Sequence, residues 1–144
     1  MNLELLLKSV QIAVTNSPLI LAVDDDEDNL LLLTEILKPI CCSCITASDG
    51  HTALVLAQEK QPDLILLDVM LPDLNGTAVI QRLRQNPKTS AIPIVAVTAL
   101  ARVEDRESLI LAGCNDYISK PYMIDDLEAL INHYLNLSLK SSVA

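Results

Sequence analysis

The stretch Asp63-Leu-Ile-Leu-Leu-Asp68-Val-Met-Leu-Pro-Asp-Leu-Asn-Gly76 decides how this chain folds. It contains an apolar run of four residues, 64–67, which is bounded by the turn-forming residues Pro62, Pro72, Asn75 and Gly76. A short apolar run between turn signals predicts a strand that is buried on both faces of a sheet. Asp68 follows that strand directly, at the end where open parallel sheets carry their chemistry, so it is the candidate reactive group. An aspartate that only caps a loop is the alternative.

Further apolar runs of this kind alternate with helical patterns along the chain. We predict strands at 19–23, 43–47, 64–67, 94–98 and 116–120. The first helix is predicted to end near residue 38, and the other four to span residues 52–60, 76–85, 103–112 and 125–136. Leu54, Val55 and Leu56 are expected on the buried side of the second helix. Five alternating strand–helix units predict a parallel sheet with helices on both faces.

The composition excludes several classes of protein. The chain has 144 residues, which suits one domain, and its 51% hydrophobic content is too high for a disordered protein. A net charge of -9 argues against direct binding to nucleic acid, because phosphate backbones are repelled. The sequence has no apolar run of membrane-spanning length and no signal-peptide pattern, so we expect no membrane insertion and a cytoplasmic location.

Residues 1–17 are interpreted as an N-terminal amphipathic extension. Leu3, Leu7, Val10 and Val14 share one helical face, and that face needs a partner. Three hypotheses remain open for this segment: it covers the domain's own surface, it joins two chains into a homodimer, or it is disordered. Residues 18–137 are predicted to form the domain, and residues 138–144 a frayed tail.

Three carboxylates are expected to meet at one edge of the sheet. Asp24 and Asp25 end the first strand and Asp68 ends the third. If these strands are neighbours, like charges about 4 Å apart repel by roughly 4 kcal/mol at an effective dielectric near 20. Such a cluster needs a cation, and hard oxygen ligands suit Mg²⁺. The acids of residues 26–28 are assigned instead to the N-terminus of the following helix.

The ends of the fourth and fifth strands add a hydroxyl and a cation. Thr98 ends the fourth strand and Lys120 ends the fifth. With Asp68 they supply a nucleophile, a hydrogen-bond donor and a positive charge. These are the groups that a site needs in order to receive a phosphoryl group.

These motifs together resemble the receiver domain of two-component response regulators. The matching segments cover residues 23–25, 66–76, 93–99 and 117–121, and the resemblance extends over about residues 19–136. It implies a flavodoxin-like, doubly wound sheet of five parallel strands in the order 2-1-3-4-5. It also implies that Asp68 is the phosphorylated residue. Since no further domain follows residue 136, a stand-alone receiver is expected.

The resemblance also implies a ligand set for magnesium. In the matching positions, Mg²⁺ is expected on Asp25, Asp68 and the backbone carbonyl of Met70, with Asp24 acting through water. Receivers of this family carry out only their own phosphorylation and dephosphorylation. A phosphatase with an aspartyl-phosphate intermediate is an alternative, but its second acid would stand where this chain has Met70. A receiver that has lost its chemistry would lack Asp68 or Lys120, and both are present.

The remaining expectations concern the phosphoryl group and the switch. Thr98, Ala99 and Lys120 are expected to contact the phosphoryl group, and Thr98 and Tyr117 to act as switch residues. Tyr117 as an ordinary core residue is the alternative. The bond between Lys120 and Pro121 is expected to be cis. The resemblance implies a sensor or hybrid histidine kinase, or a histidine phosphotransfer protein, as donor. It also implies an unknown downstream protein that binds at helix 4, strand 5 and helix 5.

Overall fold

The computed structural model of the chain describes residues 17–40, 43–99 and 102–143. Strands and helices alternate: β1 (Leu19–Val23), α1 (Glu27–Leu37), β2 (Ser43–Ala47), α2 (Gly50–Lys60), β3 (Leu64–Leu67), α3 (Gly76–Gln85), β4 (Ile94–Thr98), α4 (Val103–Ala112), β5 (Asp116–Ser119) and α5 (Ile124–Val143). Residues 1–16 of the N-terminal segment that was predicted to be amphipathic lie outside these residues, so its three hypotheses stay open.

The five strands form one parallel sheet in the order β2-β1-β3-β4-β5, which confirms the predicted fold. The central strand β3 is buried along its whole length, as its unbroken apolar run predicts. Val23 pairs with Leu67 at the ends of β1 and β3. The residues that follow these two strands therefore start from adjacent positions at the carboxyl-terminal edge of the sheet.

Two apolar layers hold the helices against the sheet. One layer packs α2, α3 and α4 on one face, and its buried members include Ala53, Val79, Ile80, Leu83 and Leu109. The other packs α1 and α5 on the opposite face, with Leu33, Leu37, Leu127, Ile131 and Leu135. Full burial of each large aliphatic side chain contributes about 1.5–3 kcal/mol, so these layers supply most of the driving force for folding.

Short polar side chains begin three of the helices close to the carboxyl-terminal edge. Asp26 caps α1 by accepting from the Asp28 amide at 2.9 Å, as predicted for this acidic run. Asp49 caps α2 and Asn75 caps α3 in the same way. These caps satisfy amide groups that have no partner inside the helix, and they mark where each loop ends.

The structure differs from the predictions at two helices. Helix α5 continues to Val143, through most of the segment that was predicted to be a frayed tail, because no proline or glycine follows Pro121. The buried side of α2 is formed by Ala53 and Ala57, whereas Val55 is 54% exposed, so the prediction for Val55 was wrong. Among the described residues, no helix is long and apolar enough to cross a membrane.

Candidate functional site

Three acids lie together at the carboxyl-terminal edge of the sheet. Asp24 and Asp68 are buried and Asp25 is exposed, and each offers an oxygen within 4.8 Å of the others. The Asp68 amide donates to the Val23 carbonyl at 2.9 Å, which continues the β1–β3 pairing by one residue. The strand order therefore brings together the carboxylates that the sequence analysis singled out.

Asp24 is surrounded by hydrogen-bond donors. One of its carboxylate oxygens accepts from the Asp26 amide at 2.9 Å, and the other accepts from Asn29 Nδ2 at 3.2 Å and Lys120 Nζ at 2.9 Å. Burial alone would raise the pKa of Asp24, but these donors and the ammonium charge outweigh it and lower the pKa. Asp24 is therefore held as a carboxylate, and Asn29 is a site residue that the sequence analysis missed.

Asp68 has fewer donors than Asp24. Its Oδ1 accepts from the Met70 amide at 3.0 Å, and its Oδ2 lies 3.4 Å from Lys120 Nζ. Burial is the main cause that raises the pKa of Asp68, and the negative charge of Asp24 raises it further. The candidate nucleophile is thus the less stabilised of the two buried carboxylates.

The ammonium group of Lys120 is shared by the two buried carboxylates, Asp24 and Asp68. Lys120 Nζ forms ion pairs with Asp24 and Asp68, and among the described side chains of residues 17–40, 43–99 and 102–136 these acids have no other basic partner. Burial would lower the pKa of Lys120, but the two carboxylates raise it above its ordinary value, so the side chain is charged. The peptide bond that follows, to Pro121, is cis.

Thr98, the predicted hydroxyl donor, is buried, whereas Tyr117, the predicted switch residue, is half-buried. Thr98 is fully buried at the end of β4, and its carbonyl accepts from the Lys120 amide at 2.8 Å. Ala99 follows at the surface. Tyr117 is half-buried on β5, packs against the core layer under α4, and lies beneath the guanidinium of Arg106. The structure thus places Thr98 next to Lys120 and Tyr117 farther along β5.

The loop after β3 is held by contacts on both of its sides. The Gly76 amide donates to the Val69 carbonyl at 2.7 Å, and a Cβ at Gly76 would come within 2.4 Å of Val69. Only glycine permits this close approach. Asp73 accepts from the Gly50 and His51 amides at 2.8 and 2.9 Å, and these bonds lower its pKa to about 2. The turn cluster therefore fixes the segment that carries Asp68.

The acidic cluster fits a hard divalent cation. Three carboxylates with oxygens within 4.8 Å of one another form a donor set of the kind that Mg²⁺ prefers, with room for water ligands. The single ammonium of Lys120 leaves this cluster with an excess of negative charge. The backbone carbonyl of Met70 as a further ligand stays a prediction.

Comparison with known proteins gives consistent results. The family model described as "Response regulator receiver domain" matches residues 20–132. The probable transcriptional regulator ycf27 of Cyanophora paradoxa is 42% identical over 120 residues, which is 83% of this chain and 49% of that protein. The polar-differentiation response regulator DivK of Brucella anthropi is 36% identical over 116 residues, 81% of this chain and 94% of DivK. This chain thus spans about half of one relative and nearly all of the other.

One of the similar solved structures also bears on the candidate metal site. The receiver domain of sensor histidine kinase PA1611 from Pseudomonas aeruginosa is 30% identical, with a TM-score of 0.77, and the match covers 83% of this chain and 98% of that one. That structure has a magnesium ion coordinated in its active-site cleft. The two chains therefore share their fold, and the present chain has a cluster of three acids at the carboxyl-terminal edge of its sheet.

Proposed function

Because the chain belongs to the family of response regulator receiver domains, we propose that Asp68 accepts a phosphoryl group from the phosphohistidine of a partner protein. Family membership makes the chain a signalling module of two-component systems rather than a metabolic enzyme. The observation that carries the proposal is the position of Asp68, within 4.8 Å of two other acids and 3.4 Å from Lys120. A nucleophile beside metal-binding acids and a cation suits phosphoryl transfer.

The reaction is a transfer between two side chains. A carboxylate oxygen of Asp68 attacks phosphorus, the phosphorus–nitrogen bond of the phosphohistidine breaks, and the imidazole leaves. Asp25, Asp68 and the Met70 carbonyl would hold Mg²⁺, with Asp24 acting through water, and the bound ion supplies positive charge. Lys120 pairs with a phosphoryl oxygen, while Thr98 and Ala99 contact the other oxygens.

The partners follow from the same chemistry. The donor is a sensor or hybrid histidine kinase or a histidine phosphotransfer protein, because these carry phosphohistidine. Phosphorylation of Asp68 changes the surface formed by α4, β5 and α5. The affinity of an unidentified downstream protein for that surface changes with it. That surface exposes the apolar residues Val103, Ile110 and Leu111, and Tyr117 lies between them and the core. Thr98 and Tyr117 connect it to Asp68.

The test is phosphorylation of the purified chain by acetyl phosphate with Mg²⁺, followed by intact and peptide mass spectrometry. We expect one phosphoryl group on Asp68, and none on Asp68→Asn. Asp28→Asn is the matched control, because Asp28 lies at the same edge of the sheet but outside the cluster. Equal modification of Asp68→Asn and the native chain contradicts the proposal. Omitting Mg²⁺ should slow the reaction of the native chain.

A further inference from the structure

A single arginine of α4 contacts two residues of β5. The guanidinium carbon of Arg106 lies 4.9 Å from the ring centroid of Tyr117, within the range of a cation–π contact. Its Nη2 donates to the hydroxyl of Ser119 at 3.3 Å. Tyr117 and Ser119 are two residues apart on a strand and therefore point to the same face of the sheet. Arg106 thus bridges β5 on the face that α4 covers.

The guanidinium is held only weakly in this position. Its Nε is buried and has no hydrogen-bond partner. The bond to Ser119 is long and its acceptor is neutral. In the part of the chain that the structure describes, no carboxylate lies within 4.0 Å of the guanidinium. A buried donor without an acceptor costs free energy, so hydrogen bonds contribute little to holding Arg106 in this position.

The contact lies next to the residues that would hold the phosphoryl group. Ser119 precedes Lys120 in the chain and pairs with Thr98 in the β4–β5 register. The Lys120 amide donates to the Thr98 carbonyl. Any movement of Thr98 or Lys120 toward a phosphoryl group therefore acts on Ser119, and through it on Arg106.

Arg106 and Tyr117 also shape the surface of α4. They line a groove of about 530 Å³ together with Val103, Glu107, Ile110 and Leu111. Since the Tyr117 ring is one wall of this groove, a change in its rotamer changes the shape that a partner meets.

We propose that Arg106 is a positioning residue that holds the Tyr117 ring in its unphosphorylated placement. This inference rests on the proposed function, in which Tyr117 responds to phosphorylation of Asp68. Phosphorylation pulls the Thr98–Lys120 end of the sheet, the Ser119 contact lengthens, and the guanidinium releases the ring. By linkage, removal of the guanidinium favours the switched state and tightens binding of a phosphoryl mimic.

The experiment compares the native chain with Arg106→Met, which removes the charge and the planar group, and with Arg106→Lys, which keeps only the charge. Glu107→Gln is the matched control, since Glu107 is the exposed neighbour of Arg106 on α4 and lines the same groove. Tyr117 side-chain rotamer populations are measured by three-bond NMR couplings, with and without Mg²⁺ and beryllofluoride. Affinity for beryllofluoride is measured in the same titration.

In Arg106→Met, we expect the free protein to populate the rotamer that beryllofluoride induces in the native chain, and to bind beryllofluoride about threefold more tightly. Arg106→Lys should fall between the two, and Glu107→Gln should match the native chain. Native rotamers and native affinity in both Arg106 variants would overturn the role of Arg106, while a native response to beryllofluoride leaves the proposed function intact. If Tyr117 of the native chain ignores saturating beryllofluoride, the switch and the role of Arg106 both fail.

Discussion

Charged side chains at the two ends of the sheet differ in how many hydrogen-bond and ion-pair partners they have. At the carboxyl-terminal edge, Asp24, Asp25 and Asp68 share one ammonium, that of Lys120. At the amino-terminal edge, the guanidinium of Arg84 donates four hydrogen bonds to three carbonyls and one side-chain amide, those of Gly113, Ser90, Ile92 and Asn115. The carboxyl-terminal edge has three carboxylates for one ammonium, whereas at the amino-terminal edge four of the five N–H groups of one guanidinium have an acceptor.

The two edges therefore differ in their expected role. The amino-terminal edge stabilises the fold, and the carboxyl-terminal edge carries the candidate reactive groups. The contacts of Arg84 join α3 to the segments that lead into β4 and β5, and Asn115 extends them by accepting from the Ile94 amide at 2.8 Å. The hydrogen bonds of Arg84 at this edge satisfy carbonyl groups, and we expect them to stabilise the fold. At the other edge the charge of Asp68 is costly, because burial and the negative charge of Asp24 raise its pKa, and the excess negative charge of the cluster is what can attract a divalent cation.

The largest expected effect comes from breaking the amino-terminal edge. Arg84→Ala should lower the free energy of unfolding by about 3 kcal/mol, because it leaves several carbonyl groups without a donor. Urea unfolding followed by circular dichroism measures this. Arg82→Ala is the control, since Arg82 is exposed on the same helix and should change stability by less than about 0.5 kcal/mol. Equal losses in the two variants would contradict the contrast between the ends.

A smaller effect of opposite sign is expected at the carboxyl-terminal edge. Asp68→Asn should raise the free energy of unfolding by about 1 kcal/mol at pH 7 without divalent cations, because it removes the cost of burying this charge and its repulsion with Asp24. The control Asp125→Asn makes the same charge change at an exposed position of α5 and should give no gain. The gain should shrink when Mg²⁺ is added, since the ion stabilises only the native cluster. A destabilised Asp68→Asn would refute this account of the edge.

The smallest expected effect compares two carboxylates near the carboxyl-terminal edge, Asp68 and Asp73. Asp73 lies on the loop after β3, yet its pKa is lowered to about 2 by the Gly50 and His51 amides. Its ordinary pKa is 3.8, so its stabilising effect is complete above pH 4 and is lost as the pH falls toward 2. Asp73→Ala should therefore lower the melting temperature at pH 7, and the difference should vanish near pH 2.

Thermal unfolding at a series of pH values checks this, with Glu59→Ala on the exposed side of α2 as control. A melting-temperature difference for Asp73→Ala that stays constant down to pH 2 would show that the carboxylate charge is not involved.

Much of the fold was predictable because its signals are local. Apolar runs such as 64–67 mark buried strands, and Asp26, Asp49 and Asn75 stand where helices begin. The side chain of Val55 was placed wrongly because α2 packs so closely that Ala53 and Ala57 form the buried side. That choice depends on how a helix lies on the sheet, and helical periodicity alone does not decide it.

The sequence by itself determined which chemistry stands at the strand ends, because each strand stops where its apolar run stops and Asp24, Asp68 and Lys120 come next. Only the tertiary structure decided how those groups share their partners. Lys120 lies 2.9 Å from Asp24, which is 96 positions away, and 3.4 Å from Asp68. Arg84 and Arg106 acquire partners such as Asn115 and Ser119 in the same way. Distances of this kind follow from strand order and side-chain packing between remote segments, and no local pattern encodes them.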